Sequence, residues 1–184
     1  MLTQKYLKEC LNYNSETGAF TWKERPISHF KNKKTSMIVN SRLAGKPAGV
    51  KDKLQSSNSE YLRIKINDRK YQTSRLAWLY VNGEDPICID HINGNSLDNK
   101  IKNLRNVTQF ENTRNMKMYN TNKSGFTGVS RCKKTGNWIA SINIEKKTKR
   151  IGTFKNIEDA AKARKEAEKT YGYHENHGRI VSDQ

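Results

Sequence analysis

Residues 116–124 read Met-Lys-Met-Tyr-Asn-Thr-Asn-Lys-Ser, a polar stretch with no apolar periodicity and the composition of a linker. A break there constrains the fold more than any other feature. It divides 184 residues into two parts, and each must close a core of its own. With 34% hydrophobic residues in the whole chain, neither core can be large. The expected organisation is a first domain over 1–116, a linker over 117–124, a second domain over 125–173 and a tail over 174–184.

Charge narrows the partner. Lys plus Arg number 35 against 18 Asp plus Glu, a net +17. Up to residue 116 there are 20 basic and 11 acidic residues; after it there are 15 and 7. Both parts are therefore suited to lie against phosphates, which predicts a bipartite binder of a polyanion, with double-stranded DNA first among the candidates. No apolar run is long enough to span a membrane, and the first residues lack the apolar stretch of a secretion signal. The cytoplasm, of a host cell if the gene is carried by a phage, is the expected compartment. Cys10, Cys88 and Cys132 are odd in number and widely spaced, so neither a disulfide framework nor a structural zinc site is expected.

In the first part, Thr3 caps a predicted helix over 4–11, Asn14 to Gly18 form a turn, and residues 19–22 read as a strand. Residues 29–53 show little periodicity and hold Lys31, Lys33, Lys34, Arg42 and Lys46, which predicts a basic loop draped along DNA. Residues 61–66 alternate with period two, Asn67-Asp68 turns, and residues 70–73 return, so a hairpin is predicted. Ser74 is the predicted cap of a short helix over 75–80, ended by Asn82-Gly83.

The densest set of chemically useful residues runs over 87–115. An apolar strand ends in Asp90-His91. A loop of Asn93, Gly94, Asn95 and Ser96 follows. Leu104-Arg105-Asn106-Val107 alternates like a return strand, and Thr108 with Glu111 forms a capping box opening a helix that bears Asn112 and Asn115. This D-H-I-N-G-N, N-L-R, helix-N pattern resembles the HNH nuclease family, and within it the subgroup of phage and intron homing endonucleases. The resemblance implies a strand-strand-helix (ββα-metal) fold holding one divalent ion. It implies that Asp90 and Asn112 are metal ligands, that His91 is the general base, and that Asn103 holds the loop and orients His91. Asn115 is a weaker ligand candidate. A carboxylate with an amide oxygen suits magnesium (Mg2+), with manganese (Mn2+) an alternative. The nuclease core would occupy about 60–116.

The second part reads as strand, basic turn at 133–136, strand over 137–142, a second turn at 146–149, strand, then a helix capped by Asn156 with Glu158 and Asp159 in its first turn. Ile157, Ala160, Ala161, Ala167 and Tyr171 form its predicted apolar face. The G-V, G-x-W-x-A, I-G-T-F and E-x-A-A elements resemble the APETALA-two/ethylene-response-factor DNA-binding domain, which implies a three-stranded antiparallel sheet packed on one helix and lying in the major groove. The candidate DNA contacts are Arg131, Lys133, Lys134, Trp138, Ser141, Lys149 and Arg150. His174 and His177, in the tail, read as exposed polar residues.

The whole is expected to be an α+β protein: a metal-dependent DNA endonuclease of HNH homing type, acting on double-stranded DNA, monomeric on its site, with the second domain reading part of that site. The alternative is a sequence-preferring DNA-binding protein whose nuclease domain has decayed.

Overall fold

The computed structural model describes residues 2–53, 60–116, 118–119, 121–145 and 147–179. Lys117 and Asn120 of the expected linker, Lys146 of the second basic turn and residues 180–184 of the expected tail lie outside these. The chain forms two compact units, Met1–Thr108 and Gln109–Gln184.

In the first unit, α1 spans Gln4–Cys10, with the Thr3 hydroxyl accepting from the Tyr6 amide at 3.2 Å. It leads directly into β1 (Leu11–Tyr13), which pairs antiparallel with β2 (Phe20–Trp22); β2 in turn pairs with β3 (Pro47–Ala48). A second sheet has the order β4 (Val50–Lys53), β5 (Glu60–Ile66), β6 (Arg69–Gln72). Asn67 and Asp68 connect β5 to β6 at φ 47° and 63°, the left-handed pair that a two-residue hairpin with right-handed twist demands. Helix α3 (Thr73–Asn82) stops at Gly83, φ 79°, and β7 (Cys88–His91) pairs with β8 (Leu104–Val107). Leu7, Cys10, Leu11, Phe20, Ile64, Ile66, Leu76 and Leu104 close one core among α1, α3 and the strands. His29, unassigned from sequence, is part of this framework. Its Nε2 lies 2.8 Å from Glu9, and its ring stacks on Tyr6 at 4.1 Å.

Two expectations for this unit fail. Residues 29–53 are not a loop: Lys33–Leu43 form helix α2, followed by β3 and β4. Asn32 caps α2 through the Thr35 amide at 2.9 Å, and only Ser36 on it is buried. A helix that buries almost no side chain needs no apolar stripe, so periodicity could not reveal it. Nor is Ser74 a cap. It is buried inside α3, which starts at Thr73.

The second unit opens with α4 (Gln109–Thr113). A sheet of order β11-β10-β9 follows, made of β9 (Val129–Arg131), β10 (Trp138–Ile144) and β11 (Lys147–Phe154), all antiparallel. Helix α5 (Ile157–Thr170) covers it, with Val129, Ala140 and Ala160 as the buried centre and Trp138, Ile151, Phe154 and Ile157 around them. The second turn is shorter than expected. Lys147, Thr148 and Lys149 already belong to β11, and Glu145 takes the left-handed position at φ 49°.

The buried stripe of α5 also differs. It runs through Ala160, Ala161, Arg164 and Glu168, while Ala167 and Tyr171 stay half-buried. Arg164 and Glu168, 4% and 5% exposed, pair at 3.0 Å. Arg164 also donates to the Ser141 carbonyl at 2.8 Å. A composition-based stripe leaves charged residues out, because burying them requires partners that only the fold supplies.

The expected free tail is packed as well. The amides of His174, Gly178 and Met118 donate to the carbonyls of Arg114, Met116 and Arg179, which ties the start of this unit to its end. His177 is 8% exposed, so its reading as an exposed residue is corrected. Its Nε2 faces Arg164 at 3.4 Å. Burial pushes its pKa down to about 4, with Arg164 and Lys165 adding to the shift and Glu168 opposing it. The folded state therefore binds this proton more weakly than the unfolded chain, whose histidine titrates near 6.5. The stabilisation is fully present above pH 6.5 and disappears as pH falls towards 4, a loss of about 3 kcal/mol. Amide exchange in β10 followed from pH 7 to 4 should show it as lost protection. His177→Gln should flatten the profile.

Candidate active site

The site is built on the β7–β8 hairpin, in the register Asp90↔Arg105 and His91↔Leu104. Because strand side chains alternate, the consecutive Asp90 and His91 point to opposite faces. Asp90, 7% exposed, accepts from Arg105 across the ladder, Nε to Oδ2 at 2.7 Å, with a second guanidinium nitrogen 2.6 Å from the same oxygen. A carboxylate has lone pairs on both oxygens, so one arginine does not exhaust it.

The loop between the strands is held by asparagines. Asn103 accepts from the Asn93 amide at 3.0 Å, and its Nδ2 donates to Asn93 Oδ1 at 3.0 Å and to the Asp98 carbonyl at 2.8 Å. Its own carbonyl takes the Ile92 amide at 2.9 Å, and Asn93 Nδ2 donates to Asp98 at 2.9 Å. Asn93 and Asn95 each turn the backbone by accepting from the amide two residues on. Ser96 is hydrogen-bonded to the Glu60 carbonyl, fastening the loop to β5.

The ring of His91 meets a residue that sequence reasoning did not select. Its Nε2 lies 3.1 Å from Oδ1 of Asn99, while Asn99 Nδ2 points to the Leu97 carbonyl at 3.4 Å. With the amide in that orientation Asn99 presents its oxygen to Nε2, a contact that suits a ring protonated on Nε2. Burial lowers the His91 pKa, against the opposing effects of Asn99, Asp90 and Asp98, which leaves the ring neutral at pH 7. Asn99 is itself 2% exposed, and its carbonyl accepts from the Tyr13 hydroxyl at 2.7 Å. Gly18, at φ 74°, passes so close that a Cβ would lie 2.5 Å from the Asn99 carbonyl carbon. The turn at 14–18 and β1 thus fix a residue eighty positions away, and no local signal marks that contact. Asn103 is hydrogen-bonded into the loop, and Asn99 is an additional residue in contact with the His91 ring.

Asn112 stands half-buried on α4, in the second unit. Asn115 is buried, and its amide oxygen accepts from Arg179 at 3.1 Å. Among the described residues no three His, Cys, Asp or Glu side chains gather into a metal cluster, so any ion here relies on few protein donors.

The candidate DNA contacts fall on two surfaces. Lys31, Lys33 and Lys34 are exposed at the start of α2. In the second unit Arg131, Lys133, Lys134, Lys149 and Arg150 are exposed on the sheet and its first turn. Trp138 packs against the core, with Arg131 lying 5.9 Å from its ring centroid. Ser141 is half-buried, its amide on the Gly128 carbonyl at 2.8 Å. No helix among the described residues is long and apolar enough to cross a membrane.

A 73-residue stretch is 39% identical to Protein 3.8 of Escherichia phage T7, covering 39% of this chain and 60% of that protein. The chain thus spans about 60% of the length of this curated relative. No solved structure matches the chain. The family model of HNH endonucleases matches residues 71–114, from the end of β6 through the hairpin to the residue after α4, so this segment is an HNH endonuclease domain.

Proposed function

We propose that the protein is a divalent-metal-dependent DNA endonuclease of homing type that cuts double-stranded DNA at a preferred site. The observation that carries this reading is the place of His91: at the end of β7, inside the matched HNH segment, with its Nε2 3.1 Å from Asn99 Oδ1. In this proposal Asn99 holds the ring at Nε2 and Nδ1 acts as the base. His91 Nδ1 takes a proton from water as the water oxygen bonds to phosphorus. The P–O3′ bond breaks, and the departing oxygen takes a proton from solvent. Asp90 in the first unit and Asn112 in the second each carry the kind of hard oxygen donor that would suit Mg2+ or Mn2+, and they are the residues proposed to hold the ion. When bound, the ion would stabilise the charge that develops on the phosphate and on the leaving oxygen.

The second unit is assigned as a DNA reader. This proposal rests on a three-stranded sheet backed by α5 that leaves Arg131, Lys149 and Arg150 exposed. The exposed lysines of α2 add sequence-independent phosphate contacts. A monomer is the proposed form on DNA.

Incubation of supercoiled plasmid with the full chain tests the reading. Nicked or linear product is expected with magnesium or manganese and none in chelator, while gel-shift binding persists in both. Binding without cleavage under any divalent ion would favour the non-catalytic alternative. Undiminished cleavage in chelator would overturn the metal mechanism.

A further inference from the structure

The second unit contains a cavity of about 710 Å³ that shares only Ser141 with the candidate DNA contacts of the sheet. That volume lies within the roughly 300–1,000 Å³ of small-molecule sites. Its wall begins on α4 with Phe110 and continues through Arg114, Tyr119, Thr127, Tyr173 and His177.

Three properties define what it can hold. The first is an aromatic rim exposed to solvent, with Phe110 41% and Tyr119 66% exposed. The second is charge. Arg114 and Arg164 line the cavity, and no Asp or Glu among the described residues does. The Arg114 guanidinium lies 4.3 Å from the Phe110 ring centroid and 5.3 Å from that of Tyr173, forming a cationic and aromatic wall. The third is unmet hydrogen bonding. Arg114 Nε, Thr127 Oγ1 and His177 Nδ1 are buried and have no hydrogen-bond partner among the described residues. Leaving buried donors unpaired costs free energy, so three at one cavity point to a polar, roughly planar ligand that satisfies them.

We infer that this cavity receives one unstacked nucleobase of a DNA strand, stacked on the exposed Tyr119 ring beside the Phe110–Arg114 wall and hydrogen-bonded at its edge by Arg114 and Thr127. Aromatic faces and arginine planes are the usual platform for an unpaired base, and a base edge offers the acceptors that an arginine N–H needs. Phe110 shares the short helix α4 with Asn112, so a base lodged here would be held by the same helix that carries a proposed metal ligand. The inference rests on DNA as the partner of the proposed nuclease.

Equilibrium binding of the full chain to single-stranded oligonucleotides tests it. The probes are about 12 nucleotides long, a length typical of single-strand sites. One series carries ordinary bases with a single 2-aminopurine, and the other carries abasic sites with the same number of phosphates. The based oligonucleotide should bind about ten- to a hundredfold more tightly than the abasic one, the range that aromatic stacking supplies, with 2-aminopurine fluorescence quenched on binding. Tyr119→Ala combined with Phe110→Ala should erase the difference. Tyr119→Phe, which keeps the ring, should retain it. Both side chains are substantially exposed, and an unchanged melting temperature shows that the fold persists. Equal affinity for based and abasic strands, or a difference that survives the double substitution, would overturn the pocket. Plasmid cleavage is measured in parallel. Cleavage with base-insensitive binding removes the pocket and leaves the nuclease, whereas base-dependent binding without cleavage keeps the pocket and removes the nuclease.

Discussion

His91→Ala is expected to slow DNA cleavage by about 10²–10⁴-fold while duplex affinity stays close to that of the unaltered chain. The separation of the two effects follows from the site. A neutral imidazole adds little to phosphate binding, whereas in the proposed mechanism it takes the proton of the attacking water. In barrier terms the loss is about 3–5 kcal/mol. Substitutions at Asn99 should slow the same step by a smaller amount, because they remove the 3.1 Å contact at Nε2 that holds the ring in place. Asn99→Asp, which keeps an oxygen acceptor, should retain more activity than Asn99→Ala. Single-turnover cleavage beside gel-shift affinity measures both. Near-normal turnover in His91→Ala would take the general base away from this residue. Equal activity in Asn99→Ala and the unaltered chain would remove Asn99 from its positioning role.

Glu168→Ala should destabilise the second unit by about 3–5 kcal/mol, a large fraction of what a small domain has. The cause is what remains rather than what is removed. Arg164 is 4% exposed, and without Glu168 its charge stays buried with only the Ser141 carbonyl and the His177 ring as polar partners in contact. Lys165, whose side chain is 59% exposed, also loses its 3.0 Å partner but can turn to solvent at little cost. Replacing both members, as Arg164→Met with Glu168→Leu, should recover much of the loss, since no uncompensated charge is then buried. Urea unfolding followed through amide exchange in β10 and α5 measures this. A single-variant loss below about 1 kcal/mol would show that the pair is effectively solvated.

The elements legible in the sequence share one physical property: their determinants lie within a few residues of one another. The Thr3 cap, the Asn67-Asp68 turn, the period-two run into β5, the Gly83 stop and the Asp90-His91 strand end all depend on local dihedral preferences or local alternation. The asparagine-rich loop was readable as a turn because Asn93 and Asn95 hydrogen-bond to their own backbone. The three strands and the helix of the second unit were readable for the same reason, since Val129, Trp138, Ala140 and Ile157 lie in short patterned runs.

What required the tertiary structure is non-local or carries no apolar signature. Helix α2 was hidden because it faces solvent almost all round. Arg164, Glu168 and His177 read as surface residues, since a charged or polar side chain can be buried only where distant partners satisfy it. The contact to the His91 ring depends on Asn99, which Tyr13 and the close passage of Gly18 hold in place from elsewhere in the unit. The sequence by itself determined the candidate base and its strand. Only the fold decided that Asn99 meets Nε2 of that ring, because the contact is assembled from segments far apart in the chain.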